Sequence, residues 1–424
     1  MRILWLINIP LPEASILMNE EISPYGGWLI NASKYLADQE NIELTVLFPK
    51  NNVTCSIKLT GNKITYYAFK TVRERDKNLI DQNLYFKKIL NEVKPDLVHI
   101  YGTELAHTLS MVNTCEIDKV KTVISIQGLV SVIQKHMYAN LPYRIVYGAT
   151  FRNLLRKDSV SGLQRMFYKR GENEVQAIKK VKHIIGRTTW DKACTTQINP
   201  NVEYHFCNET LREEFYKHKW DIEKCEKNSI FLSQGQYPIK GLHYMLEAMP
   251  LILKRYPNTK LYIGGKDITK SETIKDKLLL TYYGKYIKRM IQKYNLEQNV
   301  IFTGPLDEKQ MCERYLKSNV FVCPSSIENS PNSLGEAMIL GVPCVSSNVG
   351  GISDMLEHKD EGFIYQADAP YMLAYYICEI LGNESLAQQF SKNAREHALK
   401  THNSLANTKQ LIRIYEEILA EKKI

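Results

Sequence analysis

Two tandem α/β domains, each built on an open and mainly parallel sheet, are the fold this sequence predicts. Three observations predict it. Apolar runs of strand length alternate with helix-length amphipathic segments. That rhythm breaks in a charged stretch at 208–228 and restarts at Ser229. The length, 424 residues, suits two domains of ordinary size.

The strands expected in the first half are 3–7, 44–48, 97–101, 122–126, 183–186 and 202–206, with helices between them at 28–37, 79–93 and 165–181. The second series is 229–233, 260–263, 300–302, 320–323, 343–346 and 362–365. The expected layout is a first domain at 1–207, a linker at 208–228 and a second domain at 229–403. A final helix within 404–424 follows and packs back towards the first domain. Open α/β sheets bind ligands beyond the carboxyl ends of their strands, so a cleft between two of them is the natural site.

Composition removes several classes. Apolar residues make up 44% and charged residues 24%, a globular balance that excludes a disordered, collagenous or coiled-coil chain. No apolar run reaches the ~18–20 residues of a membrane span. The first eight residues read as a buried strand rather than a signal peptide. The nine cysteines show no C-x-x-C spacing, so neither a zinc site nor a disulfide framework is expected, and a cytoplasmic location with free thiols is. The absence of G-x-G-x-x-G where a dinucleotide fold needs it, and of G-x-x-x-x-G-K-[ST], argues against an oxidoreductase and a P-loop NTPase.

The chemistry concentrates between Cys323 and Val345. A strand ends near Cys323, and a helix is expected to begin with Ser330 as N-cap and Pro331 at its first position. The amides of Asn332, Ser333 and Leu334 then point out of the helix and, with its dipole, make an anion site suited to a diphosphate. Glu328 precedes this helix and Glu336 lies inside it, so the pair flanks the anion site. The helix stops at Gly341, with Pro343 two residues on. A second glycine turn, Gly350-Gly351, follows.

Glu328 to Glu336 and the Gly341-Val342-Pro343-Cys344-Val345 strand resemble the retaining, nucleotide-sugar-dependent glycosyltransferases of family 4, of the glycosyl transferase group 1 type. These have the GT-B fold of two Rossmann-like domains facing each other across a cleft. The resemblance implies that Glu336 binds the ribose hydroxyls and Glu328 the donor sugar, with Asn329, Ser330, Ser333 and Leu334 holding sugar and diphosphate. It implies that Lys240, in Ser233-Gln234-Gly235-Gln236-Tyr237-Pro238-Ile239-Lys240-Gly241, neutralises the diphosphate, as suits a compact ammonium. The Gly264-Gly265 and Gly304-Pro305 turns match the family, which places the nucleotide base beside Gly304. Gly26 and Gly27, after the first strand, match the glycine loop that approaches the donor phosphates.

Two positions depart from the family. Gln236 replaces a usual arginine, and Arg187, after strand 183–186, is the candidate to restore that charge. Gln127 replaces a histidine of many members, and glutamine does not titrate, so no general base is expected there. His107 and His136 are the other histidines considered for the cleft, whereas His99 reads as core.

The activity implied is transfer of a hexose or N-acetylhexosamine, with retention, to a hydroxyl of a glycan or lipid-linked acceptor in cell-surface polysaccharide synthesis. The nucleotide sugar is a co-substrate, and no cofactor, metal or nucleic acid is expected. The alternatives are a nucleotide-sugar epimerase of the same fold, a glycan phosphorylase needing pyridoxal phosphate, and a non-catalytic nucleotide-sugar binder. The formal net charge is +9, and eight of these charges lie before residue 207. The stretch from Arg144 to Lys182 has ten basic residues against Asp158, Glu172 and Glu174. It reads either as a solvated face or as peripheral contact with anionic membrane, with Phe151, Leu154, Leu155, Met166 and Phe167 as apolar footing.

Overall fold

The computed structural model describes all residues except 23–25, 52, 54–55, 72–78 and 422–424. The chain forms two compact units. Unit 1 is Met1–Val132, Phe167–Leu211 and His402–Ile424, and unit 2 is Ile133–Met166 and Arg212–Thr401.

Unit 1 holds eight strands: β1 Arg2–Leu6, β2 Glu43–Lys50, β3 Ile57–Thr60, β4 Ile64–Lys70, β5 Leu97–Tyr101, β6 Lys121–Ser125, β7 His183–Gly186 and β8 Glu203–Phe206. Their order is β3-β4-β2-β1-β5-β6-β7-β8, parallel throughout except for the antiparallel β3–β4 pair. This hairpin, turning at Gly61, is an addition to the predicted strands. β1 shows why the sheet needs cover on both faces. Ile3, Trp5 and Ile7 enter one apolar cluster and Leu4 and Leu6 the other, as the period of two requires. The helix Ser404–Ala420 covers the first face with Leu411, Ile414, Tyr415 and Ile418. Trp5 Nε1 donates to the Tyr415 hydroxyl at 3.0 Å, and His99 bonds to Tyr415 through Nδ1 and to Ser125 Oγ through Nε2.

Unit 2 holds six parallel strands: β9 Ser229–Leu232, β10 Lys260–Ile263, β11 Val300–Phe302, β12 Val320–Cys323, β13 Cys344–Ser347 and β14 Gly362–Tyr365. Their order is β11-β10-β9-β12-β13-β14. The chain leaves β9 in one direction and returns to start β12 on its other side. The topological switch point therefore lies between β9 and β12, where open sheets bind ligands.

Two boundaries differ from the expected layout. Residues 133–166 group with unit 2 rather than with the first domain. The Ala139 carbonyl accepts from Tyr244 Oη and bonds to His243 Nε2, both at 2.8 Å, and Tyr282 N donates to Asn153 Oδ1 at 2.9 Å. The stretch expected as a linker is an ordered strap: Phe215 and Trp220 are buried, and Trp220 bonds through Nε1 to the Ser318 carbonyl and through its backbone N–H to that of Leu340. Its charge reads as linker, but two aromatic anchors fasten it.

Burial holds three imidazoles neutral, pushing His99 and His107 down to about 3 and His243 to about 4. An unfolded chain titrates them at the ordinary imidazole value of 6.5. It therefore binds more protons than the folded chain between roughly pH 6.5 and 3–4, and stability falls as pH drops through that window, by up to about 1.4 kcal/mol per pH unit for each histidine. The melting temperature is expected to fall from pH 7 to pH 5, and less so in His99→Gln. Equal pH slopes for both proteins in scanning calorimetry would contradict a neutral buried His99.

Candidate functional site at the switch point of unit 2

The loops that follow β9 and β12 are pressed together by backbone geometry. Gly241 has φ +72°, and a Cβ there would lie 1.7 Å from the Pro324 carbonyl oxygen. Only glycine satisfies both constraints. Ser326 N donates to the Ile239 carbonyl at 2.8 Å across the same contact. This brings Lys240 Nζ to 2.6 Å from Glu328 Oε1, which also accepts from Ser325 Oγ at 2.7 Å. Ser325 is fixed in turn by Ser347 Oγ, which donates to its carbonyl at 2.6 Å. Both bonds to Glu328 fall on Oε1, leaving Oε2 for a further donor. Burial lowers the Lys240 ammonium, but the charge of Glu328 and its hydrogen bond together outweigh it and hold the group above its ordinary value. The second glycine turn seats Glu328 from behind, since Gly351 N donates to its carbonyl at 3.1 Å.

The helix expected at Ser330 begins one residue later, at Asn332, and ends at Leu340. Pro331 is the N-cap with ψ 119°, so it is extended rather than helical, and Ser330 does not cap. Leu334 N bonds to the Pro331 carbonyl at 3.0 Å, closing a turn. The outward amides are therefore those of Asn332 and Ser333, one fewer than expected. Asn329 is buried and Ser330 half-buried in the loop before the helix.

Glu336, buried in this helix, meets Arg212 in a bidentate pair, Nε to Oε1 at 2.6 Å and NH2 to Oε2 at 2.7 Å. Burial raises the Glu336 carboxyl, and the Arg212 guanidinium opposes that rise. Sequence reasoning missed Arg212 because it lies in the presumed linker; the nearby Phe215, over whose ring the guanidinium lies at 4.7 Å, was the available signal.

Gly304 has φ +77° and open space where a Cβ would stand, and Gly265 N donates to its carbonyl at 3.1 Å. Gly304 and Gln236 line a groove of roughly 770 Å³, together with Lys266, Lys270, Arg152 and Arg156. The cations beside Gln236 are thus drawn from unit 2 itself. Arg187 is not among them. It is buried in unit 1, where its guanidinium pairs with Glu209. Gln127 Nε2 donates to the other Glu209 oxygen at 2.6 Å, so Gln127 and Arg187 share a carboxylate at the ends of β6 and β7. Gly26, with φ +79°, caps the helix Gly27–Ala37 in unit 1, and Pro24 and Tyr25 lie outside the described residues. His107 is buried against Asn8, and its loss of protonation by burial leaves it a neutral structural bond. His136 is exposed, and its carbonyl accepts from Ser326 Oγ.

Residues 214–397 match the family model of the glycosyl transferases group 1. The matched region contains Lys240, Glu328 and Glu336 and omits Arg212 by two residues. The chain spans about half the length of the curated relatives it matches (49% and 46% for two of them). It is 28% identical over 137 residues to the N-acetyl-alpha-D-glucosaminyl L-malate synthase of Bacillus anthracis, covering 32% of this chain and 35% of that one. It is 26% identical over 220 residues to the capsular polysaccharide biosynthesis glycosyltransferase CapM of Staphylococcus aureus, covering 50% and 54%. Among solved structures, Anabaena Alr3699/HepE in complex with UDP and glucose superposes with a TM-score of 0.68 at 14% identity, covering 98% of this chain and 100% of that one. That likeness shows the fold, which is GT-B, with two Rossmann-like units.

Removing one partner of a buried ion pair costs about 3–5 kcal/mol. Arg212→Ala is therefore expected to lower the melting temperature more than Arg212→Lys, which keeps one charge contact. Calorimetry showing equal effects would contradict a bidentate role for Arg212.

Proposed function

We propose that the protein is a retaining glycosyltransferase. It moves a hexose or N-acetylhexosamine from a nucleoside diphosphate sugar to a hydroxyl of a glycan or lipid-linked acceptor, in the synthesis of cell-surface polysaccharide. The observation that carries this is the Lys240–Glu328 couple beside a helix start at the switch point of unit 2. The barrier to transfer lies in separating a diphosphate from an oxocarbenium-like sugar. Lys240 has three N–H donors, and Glu328 takes one, so the others are available to phosphate oxygens. The amides of Asn332 and Ser333 add fixed dipoles aimed at the same developing charge. The groove cations Lys266 and Arg156 stand in for the arginine that Gln236 replaces.

Glu328 offers Oε2 to a sugar hydroxyl. Glu336, paired with Arg212, offers the remaining lone pairs of its carboxyl group to the ribose. Among the described residues of this site no side chain is poised as a nucleophile, so attack proceeds on the face the diphosphate leaves, with that phosphate taking the acceptor proton. The reading needs no resident cofactor at this site. The names of the relatives support a polysaccharide or N-acetylglucosaminyl context, and UDP in the HepE complex supports a uridine donor.

UDP-N-acetylglucosamine and UDP-glucose are the first donors to test. At 100 times its Kd, a ligand of the folded state adds about 2.7 kcal/mol of stability. The melting temperature is expected to rise with one of them in the wild type and to rise less in Lys240→Ala and Glu336→Gln, both of which should lose most transfer. Full transfer by either variant would overturn the assignment.

The proposal extends to peripheral contact with anionic membrane at a cytoplasmic face. No described helix is long and apolar enough to cross a membrane. Tyr143, Phe151, Leu154 and Leu155 are 82%, 67%, 67% and 69% exposed, whereas Met166 and Phe167 are half-buried and drop out of the expected footing. The helix Phe151–Arg156 packs beside Ile274–Leu279, whose Ile274 and Leu278 are also exposed. Two of the three acids in this stretch are spoken for: Asp158 pairs with Arg152 at 3.0 Å, and Glu174 is buried against Thr103 and Ser131. The exposed Arg144, Lys157, Lys275 and Lys277 remain. Each such base near an anionic surface contributes about 1 kcal/mol. Flotation is expected with phosphatidylglycerol vesicles and not with phosphatidylcholine alone, and Leu154→Glu with Leu155→Glu should abolish it. Equal flotation of that double variant would remove this part of the proposal.

A further inference from the structure

A cluster at the outer edge of the first sheet has no part in the donor site. β8 is the last strand of that sheet, and it pairs in parallel with β7 so that His183 stands opposite Glu203 and Ile185 opposite His205. Glu203 and His205 are two residues apart on one strand, so their side chains share a face. His183 lies across from Glu203 on that same face. The register therefore delivers two imidazoles and a carboxylate to one point. His183 Nδ1 lies 3.1 Å from His205 Nε2 and 3.7 Å from Glu203 Oε2, and one ligand atom from each of the three lies within 4.8 Å of the others.

We propose that His183, His205 and Glu203 form a zinc site that fastens the end of the C-terminal helix to the edge of the first sheet. Two imidazole nitrogens bound tetrahedrally at about 2.0–2.1 Å from one zinc ion stand roughly 3.3 Å apart, close to the spacing found here. Two imidazoles and a carboxylate suit Zn²⁺ rather than Mg²⁺ or Ca²⁺, which prefer all-oxygen shells.

The outer shell has the form a metal-binding histidine needs. The far nitrogen of His183, Nε2, lies 3.2 Å from Glu421 Oε2, a carboxylate just past the helix Ser404–Ala420. Such a partner fixes the tautomer and turns the ring so that Nδ1 faces the ion. A metal held on Nδ1 would thus hold Glu421, and with it the helix end, in place. Lys121 Nζ reaches the Glu421 carbonyl at 2.7 Å, and among the described residues Lys182 is the cation that meets the carboxylates of the cluster. Its Nζ lies 3.0 Å from Glu203 Oε1 and 2.7 Å from Glu421 Oε2, so it takes the Glu203 oxygen that is turned away from the imidazoles. Against this ammonium stand Glu203, Glu421 and Glu417, whose charge also acts on His205. The balance favours a cation.

The test uses the full-length protein, stripped with chelator and dialysed, and reads binding rather than transfer. Isothermal titration with ZnCl₂ is expected to give one ion per chain at micromolar affinity or tighter, with MgCl₂ giving none. His205→Ala and Glu203→Gln should each weaken zinc at least tenfold. Zinc should raise the melting temperature of the wild type and not of His205→Ala. A Co²⁺-loaded wild type should show the strong visible bands of a tetrahedral site, and these should vanish in His205→Ala. Zinc binding that is absent from the wild type would reduce the cluster to a hydrogen-bonded histidine pair and overturn the proposal. Stoichiometric binding that survives unchanged in both variants would place the ion elsewhere and overturn it equally.

Discussion

The close approach of the Gly241 backbone to the Pro324 carbonyl is the constraint on which the site in unit 2 depends. The sheet order puts the ends of β9 and β12 side by side, but neighbouring strand ends alone leave two loops free to diverge. A residue with no Cβ and a positive φ lets them touch. Once they touch, Lys240 and Glu328, 88 positions apart, have little choice but to pair. The pairing has a cost in desolvation that the Coulombic gain at 2.6 Å offsets, and Ser325 takes up a further lone pair. What emerges is an ammonium held away from solvent with donors still unspent, which is the state an electrostatic catalyst needs before its ligand arrives.

The alternation of strands and helices was open to reading because parallel sheets buried on both faces leave near-continuous apolar runs. β5, β7, β10, β11, β12 and β14 lie where those runs end. β3 escaped because Ile57–Thr60 is an exposed edge strand whose pattern carries no burial signal, whereas β4, buried from Tyr66 to Phe69, has an apolar run that was passed over. Segment 133–166 escaped for a different reason. Its attachment to unit 2 combines buried apolar residues such as Ile145 and Val146 with bonds to the Ala139 carbonyl, and neither says in a sequence which unit it joins. The helix start at Ser330 was off by one residue because Ser-Pro fits two caps, and the choice between them turned on the ψ of Pro331.

The candidate site was legible where chemistry needs a residue type and illegible where it needs a partner. Glu328 and Glu336 stood out through their flanking turns, and the roles given to them and to Lys240 came from the family resemblance. Arg212 and Glu209 did not, since both sit in the charged stretch between the two domains and look like solvated linker. They share a function. The chain passes from unit 1 to unit 2 between Leu211 and Arg212. Within four residues it gives a carboxylate to the buried Arg187 of unit 1 and a guanidinium to the buried Glu336 of unit 2. A linker that neutralises a buried charge in each unit cannot be exchanged for another of equal length.

This explains why Arg187 fits poorly as a ligand for the donor diphosphate. An arginine whose charge is already matched by Glu209, with Gln127 on the second oxygen of the same carboxylate, would have to give up that pair to hold a phosphate. Leaving Glu209 behind in a buried setting is costly, since burial already raises its carboxyl and Arg187 is what opposes the rise. Lys266 and Arg156 face no such exchange in the groove beside Gln236. On the proposed reading, glutamine at position 236 is compatible with phosphate binding because segment 133–166 groups with unit 2 and brings Arg156 to the same groove.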